Sequence, residues 1–270
     1  HVHPLEDRSF GYDALGRLVS ASGPWGSGQF SYDVLNNLRE KTLGSRVVEL
    51  DYDAPTGRLW RYRDSGSGGS WRYQGYDARG NVTDDGVHGF VYDRSERAVS
   101  VSGGASGSFV YDAHGRRVKQ VLDGETIYTV YGIEGALYLR ENATTGESTD
   151  YVRMGDFVVG RVDETDTFER IFADRLGGPV IGATRQSSVL WRESYTPFGE
   201  LLDDPPANRD EAGFTGHIRD HATGLTYAQA RYYNPVIGRF LSHDPVGFVE
   251  GGAGYFNRYA YTMNDPVNLV

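Results

Sequence analysis

The sequence predicts an all-β protein, a coiled sheet of short hairpins, and three observations predict it. Tyr-Asp recurs at Tyr12-Asp13, Tyr32-Asp33, Tyr52-Asp53, Tyr76-Asp77, Tyr92-Asp93 and Tyr111-Asp112, at spacings of 20, 20, 24, 16 and 19 residues. Runs between the recurrences alternate, as in Val118-Lys119-Gln120-Val121-Leu122, which is the period of a half-buried strand. The composition agrees: 36 glycines, 19 tyrosines and only 39% hydrophobic residues suit tight turns and pleated surfaces better than helices.

The fullest copies of the repeat read FGYDALGRLVS from Phe10, DYDAPTGRLW from Asp51 and FVYDAHGRRVK from Phe109, with Tyr131-Gly132 as a degenerate seventh. Each is an apolar residue, a spacer, Tyr-Asp, two or three turn residues, Gly-Arg or Gly-Asn, and then a strand. Asp13, Asp33 and Asp112 are placed to accept backbone N–H groups a few residues on. Gly16, Gly57 and Gly115 supply the positive φ such turns need. About 20 residues accommodate two strands of roughly six and two turns. The tyrosine before each turn is expected to stack on its counterpart in the next unit.

Past Tyr128 the period blurs while the β character persists. Tyr138-Leu139-Arg140, Tyr151-Val152-Arg153, Phe157-Val158-Val159 and Arg170-Ile171-Phe172 read as strands, and Leu176 to Ile181 as a turn into another. Tyr195 to Glu200 (YTPFGE) is a compact turn. Asp203 to Glu211 (DDPPANRDE) is acidic and proline-bearing, an exposed loop or linker. Leu225 to Arg231 (LTYAQAR) fits a short helix or a bent strand equally. From Phe214 to Asp244 nothing repeats, so chemistry is sought there.

A net charge of −10 and a pI near 5.2 argue against a general nucleic-acid binder and suit a solvated surface or an acidic wall facing a basic cargo. With no cysteine, disulfides and thiolate metal sites are excluded. No run reaches the length of a membrane span, and the opening HVHPLED has no apolar signal core. A first residue other than Met predicts that the chain is excised from something longer.

The Tyr-Asp repeats, YTPFGE, the segment from Phe214, the run Ala230 to Gly247 (ARYYNPVIGRFLSHDPVG) and the closing Asn264 to Asn268 (NDPVN) together resemble the Rhs/YD-repeat family. The last part is similar to its Rhs-repeat-associated core domain, and the run from Ala230 is the most specific stretch. The resemblance implies a large hollow β-barrel shell, or part of one, closed by an irregular core domain. Residues 1–200 would be shell, 201–213 the acidic loop, and 214–270 the core domain. It also implies a secreted bacterial effector that encloses its own C-terminal toxin domain, with the rest of the shell as partner. A secretion-system spike, a chaperone and an immunity protein are further partners of such proteins. No cofactor, nucleic acid or membrane span is implied. A competing reading is a cell-surface adhesion or carbohydrate-binding module whose Trp25, Trp60, Trp71 and Trp191 stack on sugars.

In the family the core domain is an aspartyl autoprotease that frees the toxin. Such hydrolysis needs two carboxylates, one neutral and one ionised. Asp244 matches the aspartate of the first Asp-Pro-x-Gly. The second is expected just after Val270, so the chain as it stands is expected not to cut itself. Asp265 matches a turn position instead. Arg239 and Arg231 are candidates to hold a carboxylate ionised, against the bland alternative of structural ion pairs.

Three other signals carry less. Ser242-His243-Asp244 spells a triad, but neighbouring strand residues point to opposite faces. His217 and His221, with Asp220 between, have metal-like spacing without a third ligand and a placed glutamate, and read as surface or loop histidines. Gly66-Ser67-Gly68-Gly69 and Gly251-Gly252-Ala253-Gly254 lack the context of a phosphate cradle and read as hairpin loops.

Overall fold

The structure is a computed structural model; it describes residues 7–155, 157–209, 211–244 and 257–269. Strands, short 3-10 turns and loops account for these residues, and no α-helix occurs among them. The chain divides into two compact units. One takes residues through 87, 196–200 and those from 233 on, and the other takes 88–195 and 201–232. Each unit thus combines repeat strands with pieces of the non-repeating part.

In the first unit, β1 (Ser9–Tyr12), β2 (Leu18–Gly23), β3 (Gly26–Tyr32), β4 (Leu38–Leu43), β5 (Arg46–Tyr52), β6 (Leu59–Asp64) and β7 (Arg72–Tyr73) form one sheet in strict chain order. A hairpin of β8 (Gly75–Tyr76) and β9 (Val82–Asp84) follows. The second unit continues with β10 (His88–Tyr92), β11 (Ala98–Gly103), β12 (Gly107–Tyr111), β13 (Arg117–Leu122), β14 (Glu125–Tyr131) and β15 (Leu137–Asn142). Then come β16 (Ser148–Met154), β17 (Phe157–Asp163), β18 (Phe168–Ala173), β19 (Pro179–Ala183) and β20 (Val189–Arg192), again in chain order. Two short hairpins complete it: β21 (Ser194–Tyr195) with β22 (Leu201–Asp203), and β23 (Ile218–Asp220) with β24 (Leu225–Ala228). β25 (Arg231–Asn234) carries the chain back to the first unit, where its end pairs with β26 (Arg239–Phe240) through Tyr233↔Phe240 and Asn234↔Arg239. Leu225 to Arg231 is therefore a bent strand, turned at Gln229 with φ 53°.

The Tyr-Asp pair builds each turn as one device. Asp112 Oδ1 accepts the N–H groups of His114 and Arg116, both at 2.9 Å, while Asp112 Oδ2 takes Arg116 Nε at 2.8 Å. The same bonds join Asp13 to Arg17 and Asp93 to Arg97. Where the repeat has Gly-Asn or its equivalent, Asn37 and Asn81 replace the arginine and donate Nδ2 to Asp33 and Asp77. Partial burial pulls these carboxyls up, but the N–H donors outweigh it and hold Asp13, Asp77, Asp93 and Asp112 below the usual range. Gly16 and Gly115 sit at φ 77° and 80°, where a Cβ would be strained.

The tyrosine does something other than expected. Its hydroxyl donates to a backbone carbonyl one repeat earlier: Tyr32 to Leu18 at 2.7 Å, Tyr52 to Leu38 at 2.8 Å, Tyr111 to Ala98 at 2.6 Å. An arginine of the preceding turn covers its ring, Arg17 over Tyr32 at 4.8 Å and Arg97 over Tyr111 at 5.0 Å. The expected tyrosine-on-tyrosine stack gives way to this contact because a guanidinium gains from a ring face and a second tyrosine brings no charge to it. The register also slips by one residue at Tyr12, Tyr32, Tyr52, Tyr92, Tyr111 and Tyr131. Such bulges increase the twist of the strand pair, so every repeat coils the sheet.

The inward faces form the cores. Leu18, Phe30, Leu38, Val48, Leu50, Leu59 and Tyr62 cluster in the first unit with Trp25, and the non-repeating part adds Phe198 and Ile237. Leu137, Tyr151, Val158, Ile171, Trp191 and Ile218 cluster in the second. Trp25 and Trp191 are core residues, which removes them as exposed sugar platforms. Trp60 is exposed and Trp71 half-buried, with the Arg61 guanidinium 4.4 and 4.1 Å from their rings.

Candidate functional site

Two buried ion pairs fasten the non-repeating segments to the repeats. In the second unit, strand alternation puts Ile218 and Asp220 on one face of β23, both buried. Arg117, at the start of β13, meets Asp220 there with Nη1–Oδ2 at 2.5 Å and Nη2–Oδ1 at 2.7 Å. Tyr232 accepts a further Nη1 bond at 2.6 Å, and the Tyr227 hydroxyl accepts the Arg117 backbone N–H at 2.7 Å. The Tyr227 ring lies 4.4 Å from the guanidinium. In the first unit, Thr196 N–H to Glu200 C=O closes the Tyr195–Glu200 turn at 2.8 Å. This turn aims Glu200 at the fully buried Lys41 Nζ, and its other oxygen takes Arg46 at 2.5 Å. Burial pulls the Lys41 ammonium down, and Glu200 opposes that pull.

The predicted catalytic stretch lies on the first unit. Leu241 C=O accepts from Val82 at 2.8 Å and Tyr259 C=O from Phe240 at 3.0 Å, which pins the chain where it leaves β26 and bends at 241–242. The Asp244 backbone is held from both sides by one residue. Its N–H donates to Arg258 C=O at 2.9 Å, and its C=O accepts Arg258 Nε at 3.0 Å. Asp244 is half-buried, and these bonds fix its backbone in place. His243 packs on Tyr259 with ring centroids 4.6 Å apart. Pro245, Val246 and Gly247 of the motif, and the glycine cluster from Gly251, lie outside the described residues.

Arg239 is 3% exposed. Its Nη1 donates to Asn37 Oδ1 at 3.0 Å and to Tyr52 Oη at 3.1 Å, and the Tyr52 and Tyr259 rings flank it at 4.9 and 5.2 Å. It thus rivets the stretch to the turn between β3 and β4. Arg231 stands half-buried at the start of β25, in the second unit. Asp265 is engaged in a turn, accepting Asn268 Nδ2 at 2.9 Å and its N–H at 3.2 Å, as its motif position implied. His221 Nδ1 lies 3.4 Å from Asp204. Burial presses the His217 imidazole down to about 4, so it is more enclosed than a surface residue and stays neutral.

Three residues escaped the reading of the sequence. Besides Arg258, Asn257 Nδ2 binds Asn36 C=O at 3.0 Å and Asn37 Oδ1 at 2.9 Å, and Tyr259 donates to Gly80 C=O at 2.7 Å. Their signal was three large polar side chains in a row just after a glycine-rich stretch. The acidic loop is also better anchored than its composition suggests. Asn208 is buried, donates to Glu193 and accepts Arg161 Nη1 at 2.8 Å.

The chain is 30% identical to double-stranded DNA deaminase toxin A of Burkholderia cenocepacia (strain H111), over 97% of its own length and 22% of that protein's. It is 28% identical to tRNA3(Ser)-specific nuclease WapA of Bacillus spizizenii, over 96% and 11%. To probable deoxyribonuclease RhsB of Dickeya dadantii it is 22% identical, over 100% and 21%. It therefore spans about a tenth to a fifth of these relatives. The crystal structure of TcdB2-TccC3-TEV superposes with a TM-score of 0.65 at 17% identity, covering 98% of this chain and 17% of that one, which shows a common fold. The Teneurin YD-shell family model matches residues 5–267. A match of that extent, on a fold whose turns are built around the Tyr-Asp pair, shows that the chain belongs to the teneurin YD-shell family of Rhs/YD-repeat proteins.

Proposed function

We propose that this chain is wall and inward-closing end of a shell that encloses a C-terminal toxin within a longer, exported bacterial polypeptide. One observation carries the reading. The three relatives bear names with different activities, a DNA deaminase, a tRNA nuclease and a deoxyribonuclease, yet each shares nearly this whole chain over a minor part of its length. A region common to proteins with different chemistries supplies what they have in common, which is a container. In-order strands with a bulge at each repeat suit that role, because a sheet coiled upon itself hides its edges.

The same polypeptide cuts itself in this reading, with Asp244 as one carboxylate of a pair. Arg258 positions the Asp244 backbone, and Arg239 holds the stretch on the repeat turns as a positioning residue. Arg231 is a further candidate for orienting a carboxylate. The second aspartate completes the pair, one protonated to polarise the scissile carbonyl and one ionised to activate the attacking water. The test is the intact mass of the native full-length polypeptide beside its Asp244→Asn form. Two fragments from the parent and one chain from the variant are expected. Cleavage of both would remove Asp244 from the mechanism; cleavage of neither would remove self-cleavage altogether.

The exposed pair Trp60 and Tyr73, with ring centroids 5.8 Å apart, favours a second reading, a carbohydrate-binding module. Glycan binding lost in Trp60→Ala would support it.

A further inference from the structure

One repeat turn of the first unit has a glycine for a reason its counterparts lack. Three residues past the aspartate, the turns place Gly16, Asn36, Gly80, Glu96 and Gly115, at φ values from 60° to 94°. Asn36 and Glu96 carry side chains in that slot, so the turn alone does not demand glycine. A Cβ on Gly16 would meet nothing within 4 Å, and one on Gly115 only Arg97 at 3.9 Å. A Cβ on Gly80 would overlap the His243 ring and stand 2.9 Å from Tyr259 Oη. The Tyr259 hydroxyl donates to Gly80 C=O at 2.7 Å, its ring packs on His243, and it meets Tyr76 edge-on at 6.4 Å. Asn81, 0% exposed, is tied to Asp77 by Nδ2 at 2.9 Å, and the Val82 N–H reaches Leu241 C=O at 2.8 Å. The turn therefore has little freedom to retreat from the ring.

We propose that Gly80 is a positioning residue for Asp244: the space left by its missing side chain seats His243, and that seat sets where the next residue stands. The inference rests on the reading of Asp244 as a catalytic carboxylate. A methyl group at position 80 pushes the imidazole away and draws the 243–244 peptide with it, loosening the bond from Asp244 N–H to Arg258 C=O. A displacement of about 1 Å is enough to cost a positioned group about a hundredfold in rate. Cleavage is thereby coupled to the repeats, since the carboxylate is in place only once its neighbour has docked on a formed repeat turn.

The fraction of the native full-length polypeptide cut with time after synthesis, read by intact mass, tests the seat. Gly80→Ala should slow cleavage roughly ten- to a hundredfold. Gly115→Ala carries the same positive-φ penalty with room for its methyl group, and should be cut at the parent's rate. Gly80→Ala combined with His243→Ala, which removes the ring the methyl group strikes, should recover most of the rate. Equal slowing by the two single variants would overturn the proposal in favour of turn strain, and so would a double variant that recovers nothing. Amide hydrogen exchange reads the seat apart from the chemistry. Gly80→Ala should speed exchange at Val82 and Asp244, whose N–H groups donate to Leu241 and Arg258 C=O, and Gly115→Ala should not. If Asp244→Asn were still cut, the catalytic reading would fall, while faster exchange confined to Gly80→Ala would uphold the seat. Unchanged exchange in Gly80→Ala would overturn the seat whatever becomes of Asp244.

Discussion

Arg116 and Arg117 are adjacent in the chain and serve opposite ends. Arg116 pairs with Asp112 four residues away, 2.8 Å apart, inside one turn, and both side chains keep some contact with water. Arg117 pairs with Asp220, 103 residues away, and the two are 2% and 0% exposed. The first pair repeats along the chain and shapes a turn that local sequence already specifies. The second occurs once and fastens a non-repeating hairpin to a repeat strand. Lys41 with Glu200 does the same for the first unit, again across a long stretch of sequence. Repeats therefore close themselves with weak, replaceable pairs, and the closing segments are registered by buried pairs that tolerate no loss of one partner.

Removing Asp220 should have the largest effect. Asp220→Ala leaves Arg117 charged and buried, and is expected to destabilise by about 3–5 kcal/mol in urea unfolding, while Arg117→Met with Asp220→Leu should recover most of the loss. Glu200→Ala should fall slightly short of that, about 3 kcal/mol, because Arg46 retains Asp64 at 2.7 Å. Tyr32→Phe removes one hydroxyl bond to Leu18 and should cost about 1 kcal/mol. Arg17→Gln, in a partly exposed turn pair, should cost about 0.2–1 kcal/mol and less in high salt. If Arg17→Gln matched Asp220→Ala, the contrast would be void.

Acidity sharpens the contrast from another side. Burial pushes the Glu193 carboxyl up to about 7 from an ordinary 4.5, with Asn208 and Arg219 resisting and Asp204 adding to the rise. A raised carboxyl favours the folded state when protonated. Its contribution is fully present below about pH 4.5 and is lost as pH rises through about 7. Turn aspartates with lowered values, Asp13 and Asp112 among them, act in the reverse sense, stabilising above the ordinary carboxylate range and losing that as pH falls. Glu193→Gln should flatten the stability profile between pH 4.5 and 7 and leave the acid limb intact, as read by thermal unfolding across pH.

Much of the fold was legible because its rules are local. Asp13, Asp33 and Asp112 named their turns, and Gly16 and Gly115 named the positive φ. The role of the tyrosine was not, since its hydroxyl reaches a carbonyl one repeat back and its ring takes an arginine whose spacing only the bulge fixes. Asp220 stood in plain view between two histidines and looked like part of a failed metal pattern. Its parity with Ile218 marked it as inward-facing, but no local rule points to an arginine a hundred residues upstream. Arg239 was singled out for chemistry, and the structure seats it on Asn37 and Tyr52. Asp244 rests on motif alone, with Arg258 as the structural reason it is held still.

The most direct measurement is a pair of double-mutant cycles in one protein, Arg117 with Asp220 and Arg116 with Asp112. We expect a coupling of about 3 kcal/mol or more for the buried pair and below about 1 kcal/mol for the turn pair. Equal couplings would contradict the contrast.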